Sequence, residues 1–333
     1  MNRPHMDSLA EAVQSGDRSA LARAITLVES SLDQDRHDSE LLLEQLLPAV
    51  GHSIRIGITG IPGAGKSTLI ERLGIQALNS GHKVAVLTVD PSSEKSGGSI
   101  LGDKTRMTLL AAKPQAFVRP SPAGVTRGGV AARTRECVYL CEAAGFDLVI
   151  VETIGVGQVE LTVAGITDIL LLLLLPGTGD ELQGMKRGAM ELADLVLVNK
   201  ADGPMRNVAL ATVADYRQAL RLTRQSRSGE GVEVIAVSAL EDQGIAEVLR
   251  KLIQLHQMRR ESGVLAARRA EQCREWLSQA IREVFLESMA GKISPQDRIA
   301  ELEQEVIAGR MTARLAARQL VNDGSEHHPG GVS

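Results

Sequence analysis

The sequence predicts an α/β protein: a mostly parallel sheet covered by helices on both faces, flanked by N-terminal helices and a C-terminal helical arm. Three observations predict it. From Ser53 to about Met258, short β-branched or leucine-rich runs alternate with helical stretches, the pattern of strands joined by crossover helices. The apolar run Ile169 to Leu175 is continuous rather than alternating, as in a strand buried on both faces, and falls far short of the ~20 residues a membrane span needs. Outside this stretch the pattern turns helical on both sides.

Taken in order, the first zone runs from about His5 to Val50. Leu9 and Val13, then Leu21, Ile25, Val28 and Leu32, recur at three- and four-residue steps, and Leu41 to Leu47 adds a second apolar face. Asp17 and Asp33 are placed to cap helices. The strand runs are Ile54–Thr59, Lys83–Val89, Ala116–Arg119, Leu148–Glu152, Ile169–Leu175, Leu195–Val198 and Val232–Val237. Together they make one domain rather than two. Arg259 to Leu320 is rich in Glu, Arg, Ala and Leu, with a helix start at Ser294-Pro295 and a break at Gly309. It reads either as a solvated helical pair or as a dimerisation arm. The expected division is a helical segment over 1–50, the α/β domain over 51–258, a helical arm over 259–322 and a disordered tail over 323–333.

Composition excludes several functions. The chain has 333 residues with 37 basic against 41 acidic side chains and a pI near 6.0, so it lacks the basic excess of a nucleic-acid backbone binder. Aromatics make up 2%, too few for base-stacking platforms. The three cysteines, Cys137, Cys141 and Cys273, form no C-x-x-C pair, which excludes a zinc ribbon and fits a reducing compartment. Of seven histidines only His327 and His328 are adjacent, and no cysteine neighbours a histidine, against delivery of nickel or zinc. Met1 to Asp17 has no apolar core and carries Asp7, Glu11 and Asp17. This predicts a cytoplasmic protein without signal peptide, presequence or membrane segment.

The sharpest motif is Gly60-Ile61-Pro62-Gly63-Ala64-Gly65-Lys66-Ser67, followed by Thr68, between a β run and a helix. It fits G-x-x-x-x-G-K-[ST] at every fixed position and predicts a phosphate loop. Its glycines let backbone N–H groups close around a β-phosphate at a helix N-terminus. Lys66 would neutralise β/γ oxygens and the Ser67 hydroxyl would ligate Mg²⁺. Acidic residues at strand ends should complete the metal and water site: Asp90, Glu152, and Asp103 in a Gly-rich linker.

Asn199-Lys200-Ala201-Asp202 follows the Leu195–Val198 run and matches N-K-x-D. Guanine presents N1–H and an exocyclic amine side by side, which one carboxylate can accept. Adenine offers neither, so Asp202 predicts GTP over ATP. Lys200 would lay its stem on the base. Ser238-Ala239-Leu240 sits where the last base-contacting turn belongs. None of the six aromatics lies in these motifs, so the base is held without stacking on them.

With the phosphate loop and Asn199–Asp202, four longer strings make a resemblance specific. They are Val89-Asp-Pro-Ser-Ser93, Gly97 to Met107, Val151 to Gln158 and Pro176 to Lys186. The chain resembles the MeaB/MMAA/ArgK family of GTPases from about Leu9 to Leu320. The resemblance implies a P-loop NTPase fold, and a chaperone of adenosylcobalamin-dependent acyl-CoA mutases that works as a homodimer and binds no cobalamin itself. It further implies that Asp90, Asp103 and Glu152 surround Mg²⁺ and the attacking water. Residues 152–158, with Gly155 and Gln158, would form a switch. Residues 177–186, with Asp180, Gln183 and Lys186, would couple the mutase to hydrolysis, Lys186 entering the active site. One departure is Arg127 ahead of Gly128-Gly129, where the family commonly has Leu; it reads as an exposed loop residue.

The expected activity is Mg²⁺-dependent hydrolysis of GTP to GDP and phosphate, with Lys66, Asp90, Glu152 and Lys186 as the catalytic set. The alternative is a P-loop kinase or ATPase that phosphorylates a metabolite or an amino-acid transport component.

Overall fold

A computed structural model describes residues 3–30, 32–89, 107–119, 129–153, 159–177, 187–223, 231–290, 301–305, 311 and 319. The chain divides into two compact units, Met1–Gln272 and Cys273–Ser333. In the first unit, α1 (Arg3–Gln14), α2 (Arg18–Glu29) and α3 (Asp33–Leu46) precede the sheet. They bury Leu9, Val13, Leu21, Ile25, Val28, Leu42 and Leu46, whereas Leu32, marked by the same steps, is exposed just ahead of α3.

Asp17 caps α2, its carboxylate accepting from the Ser19 and Ala20 amides at 2.7 and 2.9 Å. Those two bonds hold its pKa below the usual carboxylate value. Asp33 is not a cap. It is the first residue of α3, and Leu32 stands at the cap with no side-chain bond. The local hydrogen bonding falls instead to Ser30, whose hydroxyl accepts from the Leu32 amide and donates to Asp35.

The sheet has seven strands, ordered β3-β2-β4-β1-β5-β6-β7, and every pairing is parallel. They are β1 (Ile54–Gly60), β2 (Val84–Val89), β3 (Ala116–Arg119), β4 (Leu148–Thr153), β5 (Ile169–Leu174), β6 (Leu195–Val198) and β7 (Glu233–Ala236). All seven expected runs are strands, within a residue or so at their ends. The helices between them are α4 (Lys66–Asn79), α5 (Thr108–Ala111), α6 (Gly129–Ala143), α7 (Val159–Ala164), α8 (Arg187–Leu192), α9 (Arg206–Thr223) and α10 (Ile245–Glu261), and α11 (Val264–Ala290) follows.

Two apolar clusters cover the two faces. On one, Leu69, Ile70 and Leu73 of α4 and Val248, Leu249 and Leu252 of α10 pack on Ile56, Ile58, Val86, Ile150, Leu171 and Leu197. On the other, Val213, Tyr216 and Leu220 of α9 pack on Leu172, Leu174, Val196, Val198 and Val234. β1, β4 and β5 are buried throughout, and β5 accordingly runs continuously apolar.

Charge is buried as well, much of it in pairs. Arg55 of β1 makes a two-pronged bond to Glu142 of α6, Nε and Nη2 each at 2.8 Å, and its guanidinium lies 5.4 Å from the Tyr139 ring centre. Asp168, fully buried, accepts from the Arg55 amide and from Nε and Nη2 of Arg269. Arg259 donates to Asp194 at 2.7 Å and to the Asp168 carbonyl at 3.0 Å. Cys137 and Cys141 are buried on one face of α6, and burial pushes both thiols up. Among the described residues no helix is long and apolar enough to cross a membrane.

In the second unit, Leu277, Ile281 and Val284 of α11 are exposed at i, i+4 and i+7. The expected helix start at Pro295, the break at Gly309 and the tail over 323–333 lie outside the described residues.

Candidate nucleotide site

β1 lies at the centre of the sheet and ends in Gly60, whose φ is +155°. A Cβ there would stand 2.4 Å from the Leu173 carbonyl oxygen, so the loop must leave the strand on a glycine. The chain then turns through Gly63 and Gly65, with φ of +79° and +89°, left-handed values that favour glycine. It enters α4 at Lys66. Pro62, Gly63 and Thr68 are exposed at the surface, whereas Ala64 is buried. Lys66 is folded into the loop, its Nζ donating to the carbonyls of Gly60 and Ile61 at 2.7 and 3.2 Å. An ammonium held across the loop mouth by two carbonyls is placed where phosphate oxygens can replace them.

Next to the loop, β4 delivers Glu152, buried to 3% exposure. Ser67 Oγ donates to its Oε1 at 3.2 Å. The buried Thr153 hydroxyl donates to that of Thr59 at 3.1 Å, joining the last turns of β4 and β1. A hydroxyl beside a carboxylate is a hard-oxygen pair suited to Mg²⁺. Ser67 and Glu152 thus fit a Mg²⁺ ion, although among the described residues no group of three or more His, Cys, Asp or Glu could hold a metal by itself.

The second half of the site is built by β6 and β7. Asn199, buried at the end of β6, donates from Nδ2 to the Ala64 carbonyl at 2.8 Å and accepts at Oδ1 from the Ala239 amide at 3.0 Å. Lys200 is exposed and adopts φ +59°, an uncommon conformation outside glycine, while the Ala201 amide bonds the Val237 carbonyl. Asp202 Oδ1 accepts from Ser238 Oγ at 2.6 Å, and Ser238 Oγ accepts in turn from the Glu241 amide. Ser238 is further fixed by paired backbone bonds with Gln243. Leu240 is 71% exposed at the tip of this turn.

Residues 60–68, Glu152, Asn199, Lys200, Asp202 and 238–240 therefore gather at the C-terminal edge of the parallel sheet, where α/β folds bind ligands. Asp90, Asp103, Arg127, Gly155, Gln158, Asp180, Gln183 and Lys186 lie outside the described residues. The Thr59–Thr153 bond carried no signal in the sequence, because Thr59 ends one strand run and Thr153 follows another, and neither run reveals which residues it pairs with.

A phosphate loop closing a central parallel strand, tied through an N-K-x-D strand end to a Ser-Ala-Leu turn, defines a P-loop GTPase. The sequence model of the family described as "Methylmalonyl Co-A mutase-associated GTPase MeaB" matches residues 21–294, and the chain belongs to that family. It is 47% identical over 316 residues to "Probable GTPase Rv1496" of Mycobacterium tuberculosis, covering 95% of this chain and 94% of that one. It is 40% identical over 333 residues to the mouse "Methylmalonic aciduria type A homolog, mitochondrial", covering 97% of this chain and 80% of the relative. A solved structure described as "LAO/AO transport system kinase" superposes with a TM-score of 0.75 at 35% identity, covering 97% of this chain and 98% of that one.

Proposed function

We propose that this GTPase is Mg²⁺-dependent, works as a homodimer, and serves as the chaperone of an adenosylcobalamin-dependent acyl-CoA mutase of the methylmalonyl-CoA type. In this reading its GTP state gates cofactor loading and the protection or reactivation of the mutase. The observation that carries the nucleotide part is the double anchorage of Asn199 to the phosphate loop and to the base turn. It supports a site in which phosphates and base are held as one unit. The mutase part is supported by the family description and by the name of the mouse relative. The dimer is supported by the exposed Leu277, Ile281 and Val284 on one helix face.

Phosphoryl transfer asks a protein mainly for positioning and charge stabilisation. Lys66 exchanges its two carbonyl partners for β/γ oxygens, and the loop amides between Gly60 and Ser67 surround the β-phosphate. Ser67 and Glu152, with Asp90 and Asp103, would hold Mg²⁺, which supplies charge neutralisation on the transferring phosphate. Asp90 or Glu152 orders the attacking water, and Lys186 enters from the 177–186 segment when the mutase is bound. Asp202 takes both donors of the guanine edge, held in line by the Ser238 hydroxyl. No step calls on this chain to bind cobalamin itself.

A second reading, a P-loop kinase acting on a metabolite or transport component, is favoured by the description of the solved relative alone. Asp202 opposes its ATP form, because its pair of carboxylate acceptors would face adenine without donors. One experiment separates the readings: GTP hydrolysis by the purified chain, with and without an adenosylcobalamin-dependent methylmalonyl-CoA mutase. The chaperone reading expects the mutase to accelerate phosphate release. An unchanged rate together with phosphate transfer to a small molecule would establish the kinase.

A further inference from the structure

The face of the sheet that packs under α4 carries three apolar rows. They are Ile54, Ile56 and Ile58 on β1; Val84 and Val86 on β2; Leu148 and Ile150 on β4. In parallel pairing, residues in register share a face. The β2 row ends in Thr88 and the β4 row in Glu152, and these two residues are register partners. Glu152 is in turn the partner of Ile58. Two polar side chains therefore close an otherwise apolar face, side by side, at the edge that carries the phosphate loop.

They differ in how they are satisfied. Ser67 Oγ donates to the Glu152 carboxylate. The Thr88 hydroxyl is buried, the residue 3% exposed, and has no hydrogen-bond partner among the described residues. A hydroxyl in such a place is costly unless some state of the protein gives it a partner. A valine would fill the same volume without that cost. Its register partner Glu152 carries a carboxylate, which has about four lone-pair positions to offer.

We propose that Thr88 is a positioning residue of the nucleotide-bound state, its hydroxyl donating to Glu152 and fixing that carboxylate beside Ser67 for Mg²⁺. The assignment rests on the Mg²⁺-dependent reading above and names the partner that orients its acidic residue. Hydrogen bonds from outside a metal's own ligands commonly set their geometry and affinity in this way.

The test follows binding of a fluorescent, non-hydrolysable GTP analogue while Mg²⁺ is titrated against wild type, Thr88→Val and Thr88→Ser. Thr88→Val is expected to need roughly tenfold more Mg²⁺ for half-maximal binding. Thr88→Ser, which keeps the hydroxyl, should stay within about twofold of wild type. Binding in EDTA should be the same for all three. The nucleotide-free Thr88→Val protein should melt no lower than wild type, since it loses only an unpaired hydroxyl, which separates the effect from misfolding. Superimposable Mg²⁺ curves for Thr88→Val and wild type overturn the assignment. So does an equal shift in Thr88→Ser, or a loss of binding that is the same with and without Mg²⁺. A wild-type chain whose binding ignores Mg²⁺ overturns the metal reading itself, and the role of Thr88 with it.

Discussion

Asn199 Nδ2 donates to the carbonyl oxygen of Ala64 at 2.8 Å, so the strand end that presents the base motif is bonded directly to the phosphate loop. The same side chain accepts from the Ala239 amide, and one buried amide thus joins three segments far apart in sequence. Asn199→Ala would leave a buried carbonyl and a buried N–H unpaired, at about 1–3 kcal/mol each. GTP affinity is expected to fall by tenfold or more in a fluorescent-nucleotide titration, with a lower Tm in the nucleotide-free protein.

Gly65 and Gly63 share the left-handed conformation but not the same surroundings. A Cβ on Gly65 would meet Asn199 Nδ2 at 2.5 Å, whereas one on Gly63 meets nothing within 4 Å. Gly65→Ala should therefore abolish nucleotide binding, and Gly63→Ala should cost only the strain of a positive φ, of order 1–2 kcal/mol. Parallel titrations of the two variants check this difference.

Asp202 is held by the Ser238 hydroxyl at 2.6 Å. Asp202→Asn would present one acceptor and one donor, a pattern that suits xanthine and mismatches guanine. GTP affinity is expected to drop by about 10²-fold or more, while xanthosine triphosphate gains. Competition between the two nucleotides on wild type and variant measures the exchange.

The fold was legible where burial is two-sided and continuous. The run Ile169–Leu175 reads as a strand from its residues alone, and β5 is fully buried over Ile169–Leu174. The same continuity hid other things. A strand apolar on both faces does not reveal which face a residue such as Thr88 occupies, so its pairing with Glu152 emerges only with register. Asp33 matched a capping pattern, but the helix starts on it. The buried ion pairs were silent because charged residues are usually exposed and because Arg55 and Glu142 stand 87 residues apart, Asp168 and Arg269 101 apart. The phosphate loop and the base motif were legible because each is a contiguous string whose chemistry is local.

Asp168 anchors Arg269 and the Arg55 amide without exposure to water. Asp168→Ala would strand a partly buried guanidinium and is expected to cost about 3–5 kcal/mol in urea unfolding. Asp168→Ala combined with Arg269→Met should recover part of that loss.

His256 lies in the same neighbourhood, its Nε2 3.9 Å from Asp168. Burial holds its pKa below the usual value, outweighing Asp168, while Arg269, Arg260 and Arg259 push the same way. A base with a lowered folded pKa binds fewer protons folded than unfolded, so stability is lost as pH falls below about 6.5. Melting temperature should decline between about pH 7 and pH 5.5, and His256→Gln should flatten that decline.

Lys66 decides the central claim, because it reaches into the loop mouth, where it donates to the carbonyls of Gly60 and Ile61. The direct measurement is phosphate release from GTP and from ATP, with Mg²⁺ present, by wild type and Lys66→Ala. We expect wild type to hydrolyse GTP in strong preference to ATP and Lys66→Ala to lose GTP turnover while remaining folded. GTP turnover that survives in Lys66→Ala, or a preference for ATP, would contradict it.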